Sequence, residues 1–188
     1  QIATSPLAYA APRVARSFQA YIYSRDELRR ILEATSILES ARSPQQPLTF
    51  RILLLVLYGA GLRPGEALRL RCCDVDLADR ILAIWDTKFF KSRLVPIGTD
   101  LCTALEAYWN VRQRLPLPDE TRSAFFCVRT GRRLSLARLE SIFVRLREHA
   151  GIRRPSSDRW QPRLHDMRHY ADFRIMPTRF CNGLEMTT

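Results

Sequence analysis

The stretch LTFRILLLVLYGAG at 48–61 constrains the fold more than any other part of the sequence. A helix at the surface places its apolar residues on one stripe, whereas a segment that is apolar nearly all round must be covered on most sides. The unbroken apolar run 52–60 is far shorter than the roughly 20 residues that a membrane-spanning helix needs. The stretch therefore predicts a central helix of a globular domain, which ends near Gly59 and Gly61.

Further helix signals lie on both sides of this segment. Ser24 and Glu27 have the spacing of a capping box, which predicts a helix that begins at Ser24. Pro64 in PGEALRL suits the first turn of a short helix, because the amide hydrogen that proline lacks has no partner there. Thr99 is predicted to cap a helix that runs to about Arg114. Other helices are predicted over SLARLESIFVRLREHAG at 135–151 and from Leu164 onward.

The β-rich runs are few and short. ILAIWD at 81–86 and RLVPIG at 93–98 flank TKFFKS, which predicts a β-hairpin with an irregular tip. AFFCV at 124–128 predicts another strand, and RTGRR after it a basic turn. Helices with one small antiparallel sheet place the chain in the α+β class, and the alternation of strands and helices typical of a parallel sheet is missing.

The basic residues indicate a polyanionic partner. The chain carries 30 Lys and Arg residues and a formal net charge of +11, and its only lysines are Lys88 and Lys91. Neutralising phosphates releases counterions, so this charge favours nucleic acid, although membranes and acidic proteins also attract basic chains. The scarcity of lysine has two explanations. One is an arginine-biased genome. The other is that position 88 requires a side chain that can lose its proton, which an arginine effectively cannot.

The cysteines give no sign of a metal site. They are odd in number and lack C-x-x-C spacing: Cys72, Cys73, Cys102, Cys127 and Cys181. We expect ordinary buried thiols in a cytoplasmic protein that has no metal, no small-molecule cofactor and no membrane association.

Four side chains from distant parts of the sequence can together bind a phosphate group. Glu66 can orient Arg63, whose guanidinium is able to hold two phosphate oxygens, and His165 and Arg168 share one helix face. Lys88 lies at the start of the predicted hairpin tip. Arginines can neutralise the non-bridging oxygens while lysine or histidine protonates the leaving oxygen, without a metal. Taken singly, Arg63–Glu66 also fits a surface ion pair, and His165 fits a buried core histidine.

The order of these motifs resembles the catalytic domain of the tyrosine recombinase (phage integrase) family. YGAGLRPGEALRLRCCDVDL resembles its first arginine motif, DTKFFKSRLVPIG its β-hairpin motif and PRLHDMRHY its H-x-x-R motif. The likeness runs from about residue 21 to residue 170. It implies the following site residues: catalytic Arg63, Lys88, His165 and Arg168, with Glu66 as the supporting acid.

The resemblance also implies an activity and a partner. Members of the family clamp double-stranded DNA, cut it through a 3′-phosphotyrosine and rejoin it without a cofactor, which achieves DNA integration and recombination. Self-association on DNA and a location at the nucleoid follow as expectations. Four basic residues near the predicted groove are expected to contact the DNA backbone, with solvated surface charges as the alternative: Lys91, Arg93, Arg132 and Arg133.

The sequence departs from the family pattern after Arg168. The family continues with more helices, a G-H or Trp motif and the nucleophilic tyrosine, whereas ADFRIMPTRFCNGLEMTT contains no tyrosine and no G-H pair. Tyr170 lies two residues beyond Arg168, about 200° round an α-helix, so we expect it to pack on the opposite side. No tyrosine is therefore assigned as the nucleophile.

These observations predict a mainly helical, integrase-like catalytic domain with a small antiparallel sheet, which lacks the final helices. The expected boundaries are a linker or arm at 1–20, an incomplete catalytic domain at 21–175 and an aberrant tail at 176–188. Covalent catalysis needs a positioned nucleophile, so the recombinase domain is expected to be inactive as given. The alternative is a non-catalytic DNA-binding module derived from an integrase. An RNA-binding protein is disfavoured, because no stacked-aromatic signature on a sheet is present.

Overall fold

The computed structural model describes residues 20–85, 92–115, 122–155, 158 and 160–170, without the side chains of His169 and Tyr170. The predicted arm apart from residue 20, both lysines of the hairpin tip, the side chain of Tyr170 and the predicted tail lie outside this description. None of the helices in the described ranges combines the length and apolar composition that crossing a bilayer requires.

Helices dominate the described residues. The α-helices are α1 (Arg25–Glu33), α2 (Gln46–Gly59), α3 (Pro64–Arg69), α4 (Thr99–Arg112) and α5 (Leu136–His149), and 3₁₀ helices cover Ala34–Leu38, Cys72–Asp74 and Leu164–Tyr170. The strands β1 (Val75–Asp76), β2 (Ile81–Ile84) and β3 (Arg93–Pro96) form one antiparallel sheet in the order β1-β2-β3. The α+β class and the predicted hairpin are confirmed; β1 was not predicted.

The helix α2 is the centre of the domain, as its all-round apolar sequence predicts. Phe50, Ile52, Leu53 and Val56 are almost completely buried. Its neighbours are α3, α4 and the 3₁₀ helices Ala34–Leu38 and Leu164–Tyr170, which together cover most of its sides. Elements that attach to α2 are therefore held relative to one another by a single rigid support.

The predicted helix starts are correct in two cases and shifted in a third. Glu27 N–H donates to Ser24 Oγ (3.2 Å) and Ser24 N–H donates to Glu27 Oε2 (2.8 Å), which is the predicted capping box. Pro64 begins α3 as expected. Thr99 does not cap α4; Gly98, with extended backbone, holds the cap position, and the Thr99 hydroxyl instead accepts a hydrogen bond from Arg80 Nη1 (3.0 Å).

The strand predicted at 124–128 is wrong: its residues make only single bridges, Arg71 with Ala124 and Cys127 with Arg133. Its carbonyl oxygens are engaged by side chains of α4 in place of a neighbouring strand. Arg112, which is only 2% exposed, donates to the carbonyls of Ala124 (2.8 Å) and Phe125 (3.0 Å). A β-rich composition therefore marks a buried segment here without a ladder of strand pairing.

Candidate phosphate-binding site

Arg63 is placed by the turn that joins α2 to α3. Gly61 has φ 62°, a left-handed conformation that favours glycine, and it redirects the chain after α2. Arg63 then precedes the first residue of α3, and Glu66 lies in the first turn. The Glu66 carboxylate accepts from Arg63 N–H (2.9 Å) and from Arg63 Nη1 (2.8 Å), so it fixes both the backbone and the guanidinium of Arg63. That Glu66 supports Arg63 in catalysis stays a prediction.

A second arginine shares the same carboxylate. Arg93, the first residue of β3, donates from Nη1 to Glu66 Oε1 (3.2 Å) and from Nη2 to Glu66 Oε2 (2.8 Å). This bidentate contact joins strand β3 of the hairpin to the turn that carries Arg63. Glu66 and Arg93 are 27 positions apart, so no local pattern in the sequence indicated the pair. We call Arg63, Glu66 and Arg93 the arginine clamp.

The clamp leaves an excess of positive charge that faces solvent. The Glu66 side chain is 2% exposed, whereas Arg63 and Arg93 are 41% and 36% exposed. Burial alone would raise the pKa of Glu66, but hydrogen bonds from Arg93 and Arg63 outweigh it and lower the pKa to about 2. The carboxylate is therefore ionised at neutral pH and balances one of two guanidinium charges, while their accessible edges can meet an anion.

His165 and Arg168 lie on the 3₁₀ helix Leu164–Tyr170. Residues three apart are eclipsed in a 3₁₀ helix, so these two positions share one side even more closely than in an α-helix. His165 is exposed and Arg168 is half-buried. The alternative of a buried core histidine is therefore wrong.

Several hydrogen bonds fix the start of that 3₁₀ helix. Asp166, which is buried, accepts from Arg163 N–H (2.9 Å) and from Arg163 Nη2 (3.2 Å). Tyr23 OH donates to the Arg163 carbonyl (3.0 Å), and Arg147 of α5 donates to the Pro162 carbonyl (2.9 Å). The segment that carries His165 and Arg168 is thus tied to the chain before α1 and to α5.

Both halves of the predicted site are attached to α2. The 3₁₀ helix Leu164–Tyr170 packs against α2, and the end of α2 leads through Gly61 into Arg63. The hairpin joins the Arg63 half through Arg93. The convergence of His165 and Arg168 with Arg63 on one phosphate stays a prediction, and Lys88 and Lys91 lie outside the described residues.

A second arginine–carboxylate unit, which the sequence analysis did not identify, lies next to the clamp. Asp74 accepts from Arg71 N–H (2.8 Å) and Nε (3.2 Å), which repeats the three-residue spacing of Arg63 and Glu66. Trp85 Nε1 donates to Asp74 Oδ1 (2.8 Å).

The basic turn carries two of the residues predicted to contact DNA. Arg132 and Arg133 are exposed there, beside Gly131.

The tyrosines with perturbed pKa values are held as hydrogen-bond donors. Burial raises the pKa of Tyr23 and of Tyr108, whose hydroxyls donate to the carbonyls of Arg163 and Phe125. Burial and the neighbouring Glu27 raise the pKa of Tyr21 to about 12. These three hydroxyls stay protonated at neutral pH and are engaged in structural contacts.

No three His, Cys, Asp or Glu side chains in the described ranges are grouped closely enough to share a metal ion. Among the described cysteines, Cys72, Cys102 and Cys127 are buried and Cys73 is exposed. The prediction of buried thiols is therefore wrong for Cys73.

The known proteins that this chain resembles in sequence include integrases and recombinases. The model of the phage integrase family matches residues 23–177. The y4rB protein of Sinorhizobium fredii is 35% identical over 171 residues, which is 90% of this chain and 53% of that protein. Tyrosine recombinase XerD of Bifidobacterium longum is 32% identical over 135 residues, 69% of this chain and 43% of that protein. The chain spans about half the length of the curated relatives it matches.

Solved structures with the same fold are also recombinases. The crystal structure of XerA recombinase superposes with a TM-score of 0.63 at 24% identity, over 82% of this chain and 50% of that one. XerH site-specific recombinase, bound to its difH substrate after cleavage, gives a TM-score of 0.60 at 25% identity, over 79% of this chain and 40% of that one. The integrase-like fold predicted from the motifs is confirmed.

Proposed function

We propose that this chain, which belongs to the phage integrase family, binds a phosphodiester of double-stranded DNA as the phosphate-activating part of a site-specific recombinase. The observation that carries the proposal is the arginine clamp, in which two partly exposed guanidinium groups share one buried, ionised carboxylate. A net positive charge of +11 supports a DNA partner. XerH, a neighbour in fold, was captured on its own DNA substrate.

The proposed chemistry assigns one role to each side chain. Arg63 and Arg168 neutralise the non-bridging oxygens of the scissile phosphate, where negative charge develops during transfer. His165, exposed beside Arg168, hydrogen-bonds the same group, and Lys88 protonates the leaving oxygen. Glu66 supports Arg63, and no metal or cofactor takes part.

The clamp makes this binding efficient because its geometry exists before DNA arrives. A free arginine side chain loses rotamer entropy when it binds a phosphate, at a cost of about 0.5–1.5 kcal/mol. Arg63 is already fixed through its backbone and its guanidinium, and Arg93 through a two-pronged contact. Part of the ordering cost is therefore met during folding. Further contacts to neighbouring backbone phosphates would fix the register of the protein on the duplex, and they would come from Arg93, Arg132, Arg133 and Lys91.

We further propose that the catalytic domain comprises 21–175 and that the 188-residue chain binds DNA without cleaving it. No tyrosine follows Tyr170 in the sequence, and Tyr21, Tyr23 and Tyr108 are protonated and hydrogen-bonded. A non-catalytic DNA-binding module remains the second candidate, and it is favoured by this lack of an assigned nucleophile. Self-association on DNA is proposed by analogy with lambda integrase, a neighbour of this chain in fold (TM-score 0.61 at 20% identity), whose tetramer was solved on a Holliday junction.

Duplex binding tests the phosphate site. Arg63→Gln should weaken binding of a labelled duplex by roughly tenfold at low salt, because a charge-assisted phosphate contact is lost. Arg42→Gln, which removes the same charge from an exposed position outside the clamp, is the matched control. Equal losses in the two variants would show that Arg63 acts only through overall charge.

A nicked suicide duplex tests the proposal that the 188-residue chain does not cleave DNA. A covalent intermediate would remain attached to the DNA after denaturation and migrate as a slower band. We expect no such band at any time point, while the same preparation retains duplex binding. A covalent adduct would contradict this expectation and direct attention to the tyrosine that formed it.

A further inference from the structure

A cavity of about 220 Å³ opens directly beside the arginine clamp. It lies between α3, the 3₁₀ helix Cys72–Asp74, the end of β2 and the basic turn, and Glu66 forms part of its wall. The charged and aromatic lining consists of Glu66, Arg69, Arg71, Asp74, Trp85 and Arg133. Since Glu66 also holds Arg63 and Arg93, the cavity and the clamp are contiguous.

The charge of the cavity favours an anion. The negative charges of its two carboxylates are already compensated, that of Glu66 by Arg63 and Arg93 and that of Asp74 by Arg71. Arg69 and Arg133 are exposed, and in the described ranges neither side chain has a hydrogen bond or ion pair with a carboxylate. Two guanidinium groups at one cavity therefore remain in excess of the acids that line it.

Trp85 gives the cavity a fixed wall. Its indole N–H is held by Asp74 at 2.8 Å, yet the residue remains 50% exposed at the end of β2. The hydrogen bond to its polar edge orients the ring, so that an apolar face is available beside the charged groups of the cavity. The cavity thus combines excess positive charge with a flat apolar side, which suits a phosphate group attached to a sugar.

We propose that this cavity binds a second phosphodiester of duplex DNA, adjacent to the one held by Arg63. Arg69 and Arg133 contact its oxygens, and the deoxyribose lies against Trp85. The cavity is smaller than the roughly 300–1,000 Å³ of sites for drug-sized ligands, so a backbone phosphate fits better than a whole nucleotide. Contacts of this kind fix the register of the duplex and carry no sequence information. The inference rests on the proposed DNA-binding function.

The salt dependence of duplex affinity tests the cavity. Arg69→Gln/Arg133→Gln should make the slope of log affinity against log salt shallower by about 1, because about 0.9 counterion is released per contacted phosphate. The control Arg42→Gln/Arg145→Gln removes the same charge from exposed residues that do not line the cavity. Both variants should retain the circular-dichroism spectrum and melting temperature of the parent chain.

Equal slopes in the two double variants would overturn the inference while leaving DNA binding intact. A parent chain that binds no duplex would instead overturn the proposed function itself, so the two failures are distinguishable.

Tryptophan fluorescence provides the second measurement. Saturating duplex should change the emission of the parent chain, and Trp85→Phe should reduce that change, with exposed Trp160, near His165 in the sequence, supplying the remainder. A change of the same size in the parent chain and in Trp85→Phe would show that the duplex does not reach the cavity.

Discussion

Replacing Glu66 by glutamine should destabilise the protein by an amount that depends on pH. The glutamine keeps the size of the side chain but removes the charge that Arg63 and Arg93 share. Its amide group would also place donors against guanidinium donors. Because the carboxylate is buried and accepts four hydrogen bonds, other groups cannot replace it without rearrangement.

The pKa of Glu66 sets the expected magnitude. The ordinary value is 4.5 and the folded protein lowers it to about 2. At about 1.4 kcal/mol for each pH unit, this difference corresponds to roughly 3 kcal/mol of stability. A lowered carboxyl pKa stabilises the folded state above the unfolded value, so the full contribution is present above about pH 5. It is lost as the pH falls from 4.5 towards 2.

Chemical denaturation of the parent chain and of Glu66→Gln between pH 7 and pH 3 measures this contribution. The difference in unfolding free energy should be constant from pH 7 to pH 5 and should shrink below pH 4.5. Glu33→Gln serves as the control, because Glu33 forms an exposed ion pair with Arg29 and should matter little. A difference that stays unchanged down to pH 3 would refute the idea that the carboxylate charge stabilises the clamp.

Two further perturbations test the framework that supports the site. Arg112→Met should cost about 2 kcal/mol in unfolding free energy, because the buried carbonyl of Ala124 loses its side-chain donor and that of Phe125 keeps only Tyr108 OH. Exposed Arg114→Met should change little, and equal effects of the two variants would contradict the assigned role. Ser24→Ala should cost about 1 kcal/mol by loss of the capping box, seen as a lower melting temperature, and an unchanged melting temperature would show that the cap contributes nothing.

Patterns within a few residues determined much of the fold. The all-round apolar stretch specified α2, because burial on most sides leaves few alternatives for a segment of that length. The Ser24 box and Pro64 specified the starts of α1 and α3 through backbone donors that are local to each helix end. Local patterns wrongly predicted a strand at 124–128. The carbonyls of Ala124 and Phe125 accept hydrogen bonds from Arg112, a side chain of helix α4, and not from a neighbouring strand.

The candidate site divides in the same way. The sequence by itself placed Glu66 beside Arg63, and His165 on one side with Arg168, because three-residue spacing on a helix brings side chains together wherever the helix lies. Only the tertiary structure decided that Arg93 shares the Glu66 carboxylate, and that Arg71, Asp74 and Trp85 border a cavity beside it. The pairing of β2 with β3 and the packing of β2 against the 3₁₀ helix Cys72–Asp74 bring these residues together. Contacts between such distant positions leave no periodic trace in the chain.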